Sequence, residues 1–348
     1  MSLFKLCVVL TAILCAAAQL FSQISEYYGM CDASAALPVD NEHFIMASDE
    51  DNVLRVYHID KKYPVSSLDI SSFLKIEYDD KSAEADFEDA EKLGDYYFFI
   101  TSHGRDRKGR LRRNRHQFFA VKVDPNTFEI MPVGKSFQKL MDYLVLNDEL
   151  KQLGVYETYL PSVKKDENLA PKERGVNIEG LAATPDGKSF LIGFRNPTPN
   201  KMAIVVELLN PLAVVLNSEL PKFGRTFLLN MKNRGVRSFE YYKKIEKYLV
   251  VGGAHDGKKN SRLYIWNGSP AARPVLIKDV DFGIAKDLNP EAISIYDGID
   301  QIQLYSDDGA VLRSDGAGGE CACKDIESPA LKMFRAMWID AAVLELGN

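Results

Sequence analysis

Four ionic residues, Glu88, Glu179, Arg237 and Glu291, open four similar stretches of this chain. Each stretch has a short apolar run, a turn, and a denser second run. A glutamate can donate a proton, accept one or ligate a cation, depending on what burial and neighbouring charges do to its pKa. An arginine beside it neutralises that charge or grips an oxyanion with its planar fork. The second runs end on residues of the same kinds: Asp49, His103, Arg195, His255 and Asp307. If the two ends of each stretch meet, His103, Glu179 and Glu88 are the catalytic candidates. Arg195, Arg237, Glu291 and His255 are then candidate ligand contacts. Asp49 and Asp51 in "DEDN" and Asp307 in "DDG" are oxygen donors of the kind Ca²⁺ takes, with a metal-free, turn-forming role as the alternative. The dense basic run "RDRKGRLRRNRH" (105–116) offers Arg105 and Arg113 to a phosphate, sulfate or carboxylate, or is a solvated loop.

No Gly-x-Ser-x-Gly elbow, His-Glu-x-x-His pair or phosphate-binding glycine loop occurs. Catalysis would therefore run by water attack, promoted by a metal or by a carboxylate or His103 base.

Five stretches must position these residues: "DASAALPVDNEHFIMASDEDN", "DFEDAEKLGDYYFFITSHGR", "NIEGLAATPDGKSFLIGFRNP", "GVRSFEYYKKIEKYLVVGGAHDG" and "NPEAISIYDGIDQIQLYSDDG". Their second runs are rich in β-branched and aromatic residues, and a further strand-like run usually follows, as in "VLRVYHI" and "HQFFAVKV". The equivalent positions Ser34, Glu88, Glu179, Arg237 and Glu291 are spaced by 54, 91, 58 and 54 residues. A period of about 50 residues with three or four strands per unit is the pattern of an all-β propeller. Five blades are visible, and a sixth, irregular one has room in 120–175. A β-sandwich does not explain the repeated pair of ionic landmarks. In a propeller the first strand of each blade lines the channel and the second runs back beside it. Glu179 and Arg195, at opposite ends of one hairpin, then share a rim.

The longest gap contains "SFQKLMDYLVLNDELKQLG" (136–154), with apolar residues at helical spacing, Ser136 as a cap and Gly154 as a stop. Residues 136–175 thus read as an insertion in a single propeller domain spanning 23–348. "MFRAMWIDAAVLEL" (333–346) reads as a strand that completes the blade begun at the other terminus. Residues 1–22 read as a cleaved secretory leader, too short for a membrane anchor, which makes the chain secreted or periplasmic. In an oxidising compartment Cys31 would pair with Cys321 or Cys323 and leave one thiol over. A net charge of −6 argues against nucleic acid as a partner. The expected partner is a small anionic ligand or a cell-envelope component, and the expected state is a monomer.

At "CDASAA", "SDEDNVLRVY", "DFEDAEKLGDYYFFITSHGR", "NRHQFFAV", "NIEGLAATPDGKSFLIGFRNP", "RGVRSFE" and "SDDG" the chain resembles a family of exported bacterial proteins classed only as a domain of unknown function. That family carries no established activity. "NIEGLAATPDGKSFLIG" is also similar to the strand repeat of esterase-like phytase propellers, which implies phosphoester hydrolysis with acidic residues, calcium and basic phosphate clamps. Two functions follow as expectations: binding of a phosphate- or carboxylate-bearing ligand at the charged channel rim, and metal-assisted ester or phosphoester hydrolysis there.

Overall fold

The computed structural model describes residues 24–78, 83–256, 261–278 and 288–347. The leader expectation falls outside them. Alternating and fully apolar runs form five four-stranded antiparallel sheets. Blade one is Ala35–Pro38, His43–Ala47, Val53–His58 and Ser66–Asp69; blade two is Phe87–Leu93, Tyr96–Thr101, Phe118–Val123 and Ile130–Val133. Blade three is Asn177–Ala183, Phe190–Asn196, Ala203–Leu208 and Phe223–Leu229; blade four is Arg234–Tyr242, Lys247–Ala254, Arg262–Trp266 and Val275–Leu276. Blade five starts with Pro290–Ile295 and Gln301–Ser306. The innermost strands touch in order around a ring, and the fifth touches the first. This is a five-bladed β-propeller.

One apolar layer fills each gap between neighbouring blades, because each sheet buries both faces. Phe87, Phe99 and Phe119 pack between blades one and two, for example, and Tyr27, Phe44, Tyr57, Tyr305 and Phe334 between blades five and one. Burying one such aromatic side chain contributes about 1.5–3 kcal/mol, so each layer is a substantial source of stability.

Ring closure differs from the expected arrangement. Met333–Asp340 is the third strand of blade five, and the N-terminal Ile24–Tyr28 pairs with it as the outermost strand. Residues 341–347 leave the sheet in a 3-10 turn rather than continuing the strand. The Cys31–Cys323 disulfide, with Cα atoms 5.8 Å apart, fastens the start of the fold to its end and leaves Cys321 as the free thiol.

The insertion is not one helix. Leu140–Leu144 and Asp148–Gln152 are separate short helices, because Asn147 stops the first and caps the second by accepting from Glu149 N and Leu150 N. A third turn, Tyr156–Tyr159, follows. Ser136 does not cap a helix; its hydroxyl is bonded to Gln117. Leu140, Met141, Leu144 and Val145 are buried against blades two and three, as their spacing requires. Residues 118–133 complete blade two, so no sixth blade forms in 120–175 among the described residues.

Candidate functional site

Each channel-facing ionic side chain sits on a local irregularity of the innermost strand. Between that strand and the next, the register shifts between Phe87 and Asp89, between Ile178 and Gly180, between Val236 and Ser238, and between Pro290 and Ala292. The extra residues are Glu88, Glu179, Arg237 and Glu291. A bulge lifts one residue out of the pleat and re-aims its side chain. Four blades use this device at the same position, so four ionic groups leave the inter-blade layers and point to one channel mouth. Blade one has no such shift, and Ser34 occupies its landmark position.

Around half the mouth the charges are paired. Arg195 donates from Nη1 to Glu179 Oε1 at 2.5 Å, and Asn177 Nδ2 donates to the same oxygen. Arg237 lies 3.1 Å from Glu179 Oε2 and forms an ion pair with Glu291 in the next blade. Asn289 Nδ2 donates to Glu291 Oε1 at 3.0 Å and to Asp307 Oδ2 at 3.3 Å. The Arg237 side chain runs over Gly253, where a Cβ would stand 2.2 Å from Arg237 Cδ. His255 lies half-buried one residue beyond the end of the strand Lys247–Ala254.

On the other half, carboxylates predominate. Asp32, Asp49 and Glu50 each offer an oxygen within 4.8 Å of the others. Asp32 reaches Asp307 through an isolated bridge between blades one and five. It fits only because residue 309 is glycine: a Cβ there would lie 1.9 Å from Asp32 Oδ1. Asp32 Oδ2 and Asp49 Oδ1 are buried without a hydrogen-bond partner. Burial, the Asp49 charge and the hydrogen bond with Asp307 push Asp32 up to about 11. Burial and then Glu179, Asp86 and Asp49 hold Glu88 well above the ordinary glutamate value. Lys324 Nζ contacts Glu50 at 3.2 Å from outside the ring.

Several expected residues are placed elsewhere. Asp51 is not part of the acidic group, because Arg55 holds both its oxygens, at 2.6 and 3.0 Å. Arg105 is buried, and three of its guanidinium hydrogens go to the carbonyls of Gly109, Tyr159 and Leu160. Arg110 and Arg112 are paired with Asp106, and Arg115 with Glu84 and Asp86. Arg113 begins the short turn Arg113–Arg115 and is exposed. The basic run is thus mostly internal fastening. His103 does not meet Glu88. It is 1% exposed, its ring neighbours His116, and its Nδ1 donates to Thr101 O at 2.7 Å.

Three groups, Asn177, Asn289 and Lys172, were not singled out from the sequence. Asn177 and Asn289 orient glutamates two positions on, and the shared Asn-x-Glu spacing is a signal that could have found them. Asp32 does meet Asp49 and Glu50, as the two ends of the first hairpin should. Lys172 belongs to the loop 171–175, whose Pro171, Glu173 and Gly175 carbonyls accept from Asn196 Nδ2 at the end of the blade-three hairpin. Lys172 is exposed, and partial burial followed by the charges of Arg195 and Arg237 lowers its ammonium pKa.

No curated protein matches the chain. Similar solved structures include a luciferin-regenerating enzyme, 7% identical with TM-score 0.42, covering 92% of this chain and 95% of that one. Another is the PQQ-bound aldose sugar dehydrogenase of Streptomyces coelicolor, 9% identical with TM-score 0.40, covering 92% and 99%. No helix among the described residues is long and apolar enough to cross a membrane. Residues 32–135 and 134–289 match a single family, and the chain belongs to it: Protein of unknown function (DUF3616).

Proposed function

We propose that this propeller is exported and that its channel mouth binds a hard divalent cation, Ca²⁺ foremost, through Asp32, Asp49 and Glu50. Through the cation's remaining positions the mouth takes a small phosphate- or carboxylate-bearing ligand. One observation carries this reading: Asp32 Oδ2 and Asp49 Oδ1 are buried, lack hydrogen-bond partners and face other carboxylates. A buried carboxylate oxygen without a partner is costly, and a cation removes the cost and the mutual repulsion together. Three carboxylates suit a hard ion and fall short of the six to eight oxygens that Ca²⁺ takes, which leaves room for water or ligand. The rim arginines are held by Glu179, Glu291, Asp86 and Glu84, so a bare anion clamp is not what they form. The disulfide between Cys31 and Cys323 supports export.

The test is a thermal melt of the purified chain with Ca²⁺, Mg²⁺ or chelator. A cation at a hundredfold excess over Kd adds about 2.7 kcal/mol of stability. Wild type should gain it, and Asp49→Asn should lose most of the gain. Phosphate or citrate should add a further shift only with the cation present. No shift with any divalent cation sinks the reading.

A second reading, ester or phosphoester hydrolysis at the same mouth, is favoured by Glu88. A channel-facing carboxyl kept in its acid form can protonate a leaving oxygen. Turnover of p-nitrophenyl phosphate or simple esters that disappears in Glu88→Gln, while the Ca²⁺ shift persists, would establish it. Absence of turnover in wild type would remove it.

A further inference from the structure

The cation site shares its covalent anchor with an unused thiol. Cys31 immediately precedes Asp32, and its carbonyl accepts from Asp308 N at 3.0 Å. Cys323 immediately precedes Lys324, whose backbone N donates to Gly309 O at 3.1 Å and whose ammonium holds Glu50. The disulfide therefore fixes one ligand, Asp32, and one competitor for a ligand, Lys324. Cys321 is half-buried and packs against the same small cluster of Cys31, Cys323 and Ile326. It sits on the short hairpin Leu312–Ser314 and Glu320–Ala322, which stands outside the five blades.

We propose that Cys321 is an exchange thiol that moves the disulfide from Cys31–Cys323 to Cys31–Cys321 and thereby uncovers the cation site. Cys321 loses its proton to solvent, and the thiolate attacks Cys31 Sγ. The Cys31–Cys323 bond breaks as the Cys31–Cys321 bond forms, and Cys323 leaves as a thiolate that takes up a proton. One disulfide and one thiol are present before and after, so no outside oxidant or reductant enters. The other product, a Cys321–Cys323 bridge across one alanine, would require the backbone to fold back so that the two Cβ atoms approach to about 4 Å. Exchange onto Cys31 keeps the tie between the ends of the fold and shifts it by two residues. That shift releases Cys323 from its contacts with Met333 and draws Lys324 off Glu50. Glu50 then faces Asp32 and Asp49 without a competing ammonium.

The coupling to the cation rests on the cation reading above; the exchange itself does not. By reciprocity, a cation that binds the uncovered site more tightly also raises the population of the exchanged bridge. Oxidised full-length protein is held near pH 8 with and without Ca²⁺, quenched in acid, alkylated and mapped by mass spectrometry without reduction. Wild type should yield alkylated Cys323 as well as alkylated Cys321, and Cys321→Ser should yield no free Cys323. Alkylation confined to Cys321 in every condition overturns the exchange. Ca²⁺ should raise the Cys323 fraction about fivefold or more, typical of a coupled pair of sites. An unchanged or lowered fraction, with calorimetry still showing Ca²⁺ bound to wild type, overturns the coupling alone. Loss of all Ca²⁺ binding in both wild type and Cys321→Ser overturns the cation reading and leaves the mapping result standing.

Discussion

Arg237 Nε lies 3.1 Å from Glu179 Oε2, although the two residues come from the innermost strands of different blades. The same guanidinium pairs with Glu291 one blade further on. A single buried cation thus joins three consecutive blades at the channel mouth. Bulges make this contact: without the extra residue, both side chains would lie in the apolar layers between sheets.

Removing that cation leaves buried Glu291 without an arginine and Glu179 with Arg195 alone. Arg237→Met should lower the unfolding free energy by about 3–5 kcal/mol. Urea unfolding measures it. Replacing Glu291 by glutamine in the same chain should restore part of the loss, because Glu291 is then no longer a buried charge without its arginine, whereas Glu179 keeps Arg195. A loss near zero in the single variant would show that the ion pairs do not bear on stability.

Gly253 supports the same contact from below. Its alanine variant places a Cβ 2.2 Å from Arg237 Cδ, a position that a real atom cannot share. Gly253→Ala should cost about 1–3 kcal/mol, as overpacked sites do. In an Arg237→Ala background the same change should cost almost nothing, because the two residues are in direct contact and their effects are not additive. Equal costs in both backgrounds would place the strain elsewhere.

The landmark residues were legible because a propeller repeats, and Glu88, Glu179, Arg237 and Glu291 recur where repeats align. What the repeat could not show was partnership. Arg105 and Arg115 look alike in the sequence, yet one holds two carbonyls of the insertion and one of its own loop, and the other holds Glu84 and Asp86. Asp51 and Glu50 are adjacent. Arg55, four residues on, captures the first, and the second is left for Asp32 and Asp49. His103 ends its run as expected, but its left-handed backbone, φ 52°, turns the ring toward His116. Such outcomes depend on three-dimensional contacts that no spacing rule contains.

The buried histidines set the acid limb of stability. Burial lowers His103 to about 4, and burial followed by the His103 and Arg113 charges lowers His116 as well. Unfolded histidine titrates near 6.5, so between 6.5 and about 4 the unfolded chain takes up protons that the folded chain refuses. The stabilisation is complete above 6.5 and is lost as pH falls to about 4, roughly 3 kcal/mol for His103 alone. The buried carboxylates with raised pKa tilt the curve the opposite way, so the informative quantity is a difference. His103→Gln minus wild type, measured by urea unfolding from pH 7 to 4, should flatten this limb. A parallel pair of curves would show that His103 titrates alike in the folded and unfolded chain.

Cation binding at the mouth should release protons. Asp32, pushed up to about 11, carries its proton through neutral pH in the free protein, and Asp49 is raised as well by burial and by Asp307 and Glu50. A cation needs carboxylates, so it must expel what these groups hold. Raising the pH removes the competitor, and the apparent Ca²⁺ affinity should rise by about tenfold per pH unit for each proton displaced. Calorimetry in two buffers of different ionisation enthalpy at one pH counts those protons directly. The observed enthalpy should depend on the buffer for wild type and less so for Asp32→Asn, which has one titrating group fewer. Ca²⁺ binding with no proton release would mean that the ion sits away from Asp32 and Asp49 or that both are already ionised in the free protein, and an unchanged affinity in Asp49→Asn separates the first outcome from the second.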